Sequence, residues 1–113
     1  MTLYKDGRRV VARGITFIDD KILLIERYRK EGSDLLHYFT IPGGGVEINE
    51  STWEAAIRET FEETTCNVEI IEYLGEETYP NGICHWYYCQ YLDGTPTLSG
   101  EEKERNNPDN FYK

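Results

Sequence analysis

Three glutamates, Glu59, Glu62 and Glu63, fall three and four positions apart in a stretch patterned as a helix. Residues at that spacing are neighbours on a helix surface, so the carboxylates come within one turn and repel. Such repulsion costs roughly a few tenths of a kcal/mol per pair, and more once the groups are partly desolvated, so crowding them stabilises nothing unless a cation is shared. Oxygen donors on one helix turn suit a hard divalent ion, Mg²⁺ or Mn²⁺, which keeps several waters and completes its shell with phosphate oxygens of a substrate. Just upstream, Pro42 fixes the entry to Gly43, Gly44 and Gly45. A run without side chains lets the backbone approach the same point and offer a carbonyl or an amide.

The elements that must position these groups can be read around them. Ser51, with Glu54 three residues on, forms a capping box, so a helix is expected to start there and to run to about Thr65. At about 100° per residue, Trp53, Ala56, Ile57, Thr60, Phe61 and Thr64 fall on one side, the expected buried face, with the three glutamates along its edge. Before the helix, Arg9 to Ile18 is rich in β-branched residues and ends at Asp19-Asp20, a turn signal; Lys21 to Arg27 follows as a second apolar run, giving a hairpin. Lys30 to Asp34 reads as a polar loop, and Leu35 to Ile41 leads into the glycines. After the helix, Val68 to Thr78 and Ile83 to Leu92 read as strands about a Tyr79-Pro80-Asn81-Gly82 turn. The cluster His85, Trp86, Tyr87, Tyr88 and Tyr91 is more solid than alternating, as in a sheet covered on both faces. From Leu98 onward the sequence reads as a solvated loop.

These residues carry a resemblance. Gly44, five residues, Glu50, seven residues, Arg58-Glu59, two residues, then Glu62-Glu63 resembles the signature of the Nudix hydrolases, the family that cleaves nucleoside diphosphates linked to another moiety. Thr60 stands where the family has an aliphatic residue, and Thr65 where it usually has Gly. A β-branched Thr65 enters the left-handed conformation only at a cost, so Asn67 is the alternative helix terminator.

The resemblance implies an α/β/α sandwich with a mixed β-sheet and Mg²⁺- or Mn²⁺-dependent attack of water on a diphosphate linkage. It implies metal held by Glu59, Glu62, Glu63 and the Gly43 carbonyl, Arg58 orienting the ligand glutamates, and Glu50 holding the loop or a metal-bound water. The general base is left between Glu59 itself and a loop carboxylate, Glu101 or Glu102. Substrate contacts are expected from Gly44 and Gly45, and from Arg27 and Phe39, for which the plainer readings are a surface charge and a core aromatic. The competing function is a Nudix-fold module that senses a nucleotide or nucleotide sugar without turning it over.

Composition bounds the rest. At 113 residues one domain is expected. With 21 acidic against 12 basic residues the net charge is −9, which argues against holding duplex nucleic acid by phosphate neutralisation; the expected partner is a small nucleotide. Cys66, Cys84 and Cys89 form no metal spacing, and no run approaches the roughly 18 apolar residues that span a bilayer, so a reduced cytoplasmic protein with no membrane contact is expected. The family's C-terminal strand and second helix find no residues, so a longer chain is expected; ending at Lys113, it would expose Trp86 to Tyr91 and dimerise or aggregate.

Overall fold

The structure, a computed structural model, describes residues 1–96 and 110–112. In chain order the elements are β1 (Tyr4–Lys5), β2 (Arg8–Ile18), β3 (Lys21–Ile22), β4 (Ile25–Glu31), β5 (Asp34–Thr40), β6 (Gly43–Gly45), α1 (Thr52–Thr64), β7 (Asn67–Tyr79), β8 (Gly82–Asp93) and β9 (Asn110–Tyr112). Strand β2 organises the larger sheet. Alternate residues of it, Val10, Ala12 and Thr16 among them, are buried toward α1, as the two-residue period of a strand requires. It pairs in parallel with β8, and antiparallel with β1, β3 and β6, while β7 and β8 form a long antiparallel hairpin; the strand order is β1-β2-β8-β7. This is the mixed sheet of the expected α/β fold. Val10, Ala12, Val46, Ala55, Ala56, Val68, Tyr87 and Cys89 form the core between it and α1.

Local chemistry explains where α1 sits and stops. The Ser51 side chain accepts from the Glu54 amide at 3.1 Å and the Glu54 carboxylate accepts from the Ser51 amide at 2.8 Å, completing the capping box. Helix residues Ala55, Ala56, Thr60 and Thr64 are buried, whereas Trp53 (49% exposed) and Phe61 (45%) face outward, which corrects the expected buried face by a partial turn. The reason is close approach: two alanines let the helix backbone lie against the sheet. The two threonines satisfy their hydroxyls within the helix, Thr60 Oγ1 donating to the Ala56 carbonyl at 2.7 Å and Thr64 Oγ1 to that of Thr60 at 2.6 Å. A threonine at position 60 thus costs no unsatisfied polar group.

Thr65 itself, not Asn67, ends the helix, at φ 62°. Left-handed backbone costs a non-glycine residue about 1–2 kcal/mol; bonds from its amide to the Phe61 carbonyl at 2.8 Å and from its hydroxyl to the Thr95 carbonyl at 2.7 Å offset this. Asn67 is needed as the first residue of β7, where its side-chain amide donates to Asp93 at 2.7 Å.

Three further expectations are corrected. The run Lys21 to Arg27 is not one strand: β3 pairs with β2, and the chain then leaves that sheet so that β4 can pair with β5 and β9 in a second one of order β5-β4-β9. Lys30 to Asp34 is not an open loop but the tip of the β4–β5 hairpin, tight because Gly32 takes φ 60°. The C-terminal stretch is not all loop, since Asn110–Tyr112 adds to β4 as a strand.

Candidate active site

Strand β6 and helix α1 meet edge to side, and everything the signature names converges there. Arg58 is the hub. Its Nε and Nη2 donate to the two oxygens of Glu50 at 3.1 and 2.6 Å, Nη1 donates to Glu59 at 2.9 Å and to Glu62 at 3.2 Å, and Nη2 also donates to the Gly45 carbonyl at 3.1 Å. The guanidinium fork holds Glu50 two-pronged, a geometry lysine cannot reproduce. Glu50 in turn accepts from the Glu47 amide at 2.9 Å, which ties the loop before the helix to the same network. The hydrogen bond from Arg58 holds the Glu50 carboxyl below the usual carboxylate range, and Glu50 in return drives the Arg58 pKa up.

The glycines are placed by the same logic. The Gly43 amide donates to Glu63 at 2.8 Å, so one member of the glutamate trio is already turned onto the glycine strand. At Gly44 a Cβ would stand 2.6 Å from Glu59 Oε2. Gly44→Ala is therefore expected to push Glu59 off its position and lower any turnover by about 10- to 100-fold while leaving the melting temperature within a few degrees, because the clash falls on a side-chain end rather than on backbone. Steady-state kinetics beside calorimetry on the same variant check it.

Gly43, Gly44, Gly45, Glu50, Arg58, Glu59, Glu62 and Glu63 are thus brought together as the spacing implied. Among the described residues no three acidic, histidine or cysteine side chains stand gathered at metal-ligand spacing, because Arg58 fans Glu59 and Glu62 toward itself while Glu63 reaches Gly43. The donor set is nonetheless all oxygen, with one guanidinium among four formal negative charges, and suits a hard cation.

Arg27 and Phe39 lie on the second sheet. Arg27 sits over the ring of its cross-strand partner Tyr38, 5.8 Å from the centroid. Phe39 is 57% exposed, which sets aside the core-aromatic reading; it tilts against His37, itself stacked on Tyr28 with ring centroids 4.2 Å apart. Arg29 pairs with Glu31 at 3.1 Å as an exposed surface charge. Glu101 and Glu102 lie outside the described residues. The cysteines are free and buried; burial pushes all three thiols up, Cys89 to about 11, so none offers a thiolate at neutral pH.

Sequence reasoning missed two arginines. Arg9 and Arg13 of β2 point to the face of β6 opposite the glutamates: a Cβ on Gly45 would stand 2.6 Å from Arg9 Nη2, and one on Gly43 would stand 2.5 Å from Arg13 Cγ. The available signal was the Arg9, Val11, Arg13 alternation, which puts both arginines on one face of a strand; that this strand pairs with the glycines shows only in the structure.

Fold and site define an α/β domain with a glycine strand and a carboxylate-rich helix joined through one arginine. The profile of the NUDIX domain matches residues 7–111, and the chain belongs to that family. It is 42% identical over 79 residues to the RNA pyrophosphohydrolase of Bradyrhizobium diazoefficiens, covering 67% of this chain and 46% of that protein. To the RNA pyrophosphohydrolase of a Rhodopseudomonas palustris strain it is 48% identical over 70 residues, covering 62% and 30%. The chain thus spans half or less of the length of the curated relatives it matches. In structure it is similar to the MutT NUDIX hydrolase of Burkholderia pseudomallei, with a TM-score of 0.69 and 23% identity over 93% of this chain and 78% of that one, a likeness of fold. No described helix is long and apolar enough to cross a membrane.

Proposed function

We propose that this chain is a metal-dependent pyrophosphohydrolase that cleaves a diphosphate linkage in a nucleoside diphosphate derivative by attack of water at phosphorus. The observation that carries the reading is the convergence of the glycine strand and Glu59, Glu62 and Glu63 about Arg58. Glu59, Glu62, Glu63 and the Gly43 carbonyl would hold Mg²⁺ or Mn²⁺. When bound, the ion neutralises charge on the phosphates and acidifies a water.

The remaining roles belong to the chain. Arg58 fixes the carboxylate rotamers before substrate arrives, so little reorganisation remains when charge develops at phosphorus. Glu50 clamps Arg58 and, through the Glu47 amide, the loop that carries the glycines. Glu59, which Arg58 holds beside Gly44, is one candidate to accept the proton of the attacking water, and the loop carboxylate Glu101 or Glu102 is the other. Arg27 and the exposed ring of Phe39 are the candidates for contacts to the rest of the substrate.

That its relatives are RNA pyrophosphohydrolases makes RNA carrying a 5′-polyphosphate the first substrate to try, with nucleoside triphosphates and ADP-ribose beside it. Phosphate or pyrophosphate release from this panel with Mg²⁺ tests the reading. Mg²⁺ and Mn²⁺ are expected to support turnover and Ca²⁺ to bind while supporting it poorly, because its larger, looser shell misplaces water and phosphorus. Activity that survives a chelator, or binding without turnover of any member of the panel, would overturn it.

A further inference from the structure

Three strands meet just past the glycine run, and their backbones close a ring there. The Val10 amide donates to the Leu3 carbonyl at 3.0 Å, the Leu3 amide to the Val46 carbonyl at 2.7 Å, and the Val46 amide to the Val10 carbonyl at 2.9 Å. Val10 and Val46 are buried, and Leu3 packs against the core they belong to. At this point the edge of β2 passes from β6 to β1, which reaches it through a turn at Asp6 and Gly7, both of positive φ.

The residues before β1 follow the chain out of the sheet toward the site. The Ile48 amide donates to the Met1 carbonyl at 2.8 Å, and Thr2 stands opposite Glu47 as the wide pair of a short antiparallel ladder. Beyond Val46 the chain has left β2, and among the described residues this ladder is the backbone tie between the sheet and the turn from Glu47 to Glu50. That turn carries the clamp. The Glu50 amide donates to the Glu47 carbonyl at 3.1 Å and the Glu47 amide to the Glu50 carboxylate at 2.9 Å; Glu50 holds Arg58, and Arg58 holds Glu59 and Glu62. A displacement at Val46 or Glu47 therefore reaches the glutamates through Glu50 and Arg58.

We propose that Leu3 is a positioning residue for the diphosphate-cleaving site. Its amide, through Val46 and Glu47, fixes where Glu50 holds Arg58, so the N-terminal arm is a strap on the catalytic loop. This rests on the pyrophosphohydrolase reading for turnover but not for the placement of Arg58.

Three variants test it. Leu3→Pro removes the amide given to Val46, Leu3→Ala removes the side chain but keeps the amide, and Thr2→Pro places proline where the amide points away from Glu47. With Mg²⁺ and RNA carrying a 5′-triphosphate, Leu3→Pro is expected to lower kcat at least about 10-fold relative to Leu3→Ala with KM within about twofold, because the arm places catalytic groups rather than binding substrate. Thr2→Pro is expected to match the wild type. Without metal, the Nε proton of Arg58, which is donated to Glu50 at 3.1 Å, is followed by heteronuclear NMR. Its exchange with solvent is expected to be at least about 10-fold faster in Leu3→Pro than in Leu3→Ala. Melting of the same samples shows whether each is folded. If Leu3→Pro is not, Ile48→Pro takes its place with the same two effects expected: Ile48 is half exposed, stands second in its turn, where proline is accepted, and gives the other ladder bond. If either kcat or exchange in the proline variant equals that of Leu3→Ala, or Thr2→Pro changes both as much, the strap is overturned. If the wild-type chain turns over no substrate yet Arg58 exchange responds as expected, the strap stands and the hydrolase reading falls.

Discussion

Glu63→Gln and Glu62→Gln are each expected to lower Mg²⁺-supported turnover by at least about 100-fold, as the proposed role of each in holding the metal requires. The apo proteins should stay folded. In Glu63→Gln the amide oxygen can still accept from the Gly43 amide, which Glu63 does now at 2.8 Å, so the loop keeps its anchor while one repulsive charge disappears. Its apo melting temperature is expected at or above that of the wild type. In Glu62→Gln the pair lost is with Arg58, and Glu62 is 54% exposed, so screening leaves that pair worth little and the melting temperature close to wild type. Kinetics with a phosphate-release assay and calorimetry on the same samples separate ligand loss from fold loss. Near-wild-type turnover in both variants would remove these glutamates from the metal site.

What the sequence made legible was local chemistry. The capping box could be read from Ser51 and Glu54 alone because both its hydrogen bonds close within one turn. The three glutamates and Arg58 share a helix turn, so their meeting follows from the helical period. The glycine run could be read as a close backbone approach to the glutamates, but that Gly44 is the glycine facing Glu59 follows from the strand's register and not from any local signal.

The misses all come from tertiary contact. The helical period puts Trp53 and Phe61 on the buried face together with Ala56, Thr60 and Thr64, but a sheet that approaches closely takes the small Ala55 beside those three and leaves the two large rings outside. Thr65 ends the helix in a conformation its own propensity disfavours, because Asn67 is already committed to β7 and Thr95 receives the Thr65 hydroxyl, a partner 30 residues away. Arg9 and Arg13 read as strand charges; their neighbourhood with Gly45 and Gly43 is set by a register between β2 and β6 that no window of sequence contains.

Arg58 is where fold and site depend on one side chain, and Arg58→Met is expected to damage both. The methionine fills much of the same volume but leaves Glu50, Glu59 and Glu62 clustered without their cation, and Glu50 is only 16% exposed. Breaking a fully buried pair costs about 3–5 kcal/mol; with Arg58 itself 31% exposed, screening brings the expectation down to about 2–3 kcal/mol. For a chain of this size that is a fall in melting temperature on the order of 10 °C at neutral pH. Turnover should fall by at least about 100-fold as well, since the glutamates lose the orientation that Arg58 gives them.

The pH dependence identifies the cause. Arg58 holds the folded-state pKa of Glu50 below its ordinary value of 4.5, so the pair's contribution is fully present above that value and is lost as pH falls through the depressed one. In the variant the sign reverses, because a Glu50 left among like charges is stabilised by protonation. The gap in melting temperature between wild type and Arg58→Met should therefore be widest near pH 7 and narrow steadily below about 4.5. A gap that stays constant from neutral pH down to pH 3 would mean that Arg58 acts through packing of its aliphatic stem, and the electrostatic account of the hub would fall with it.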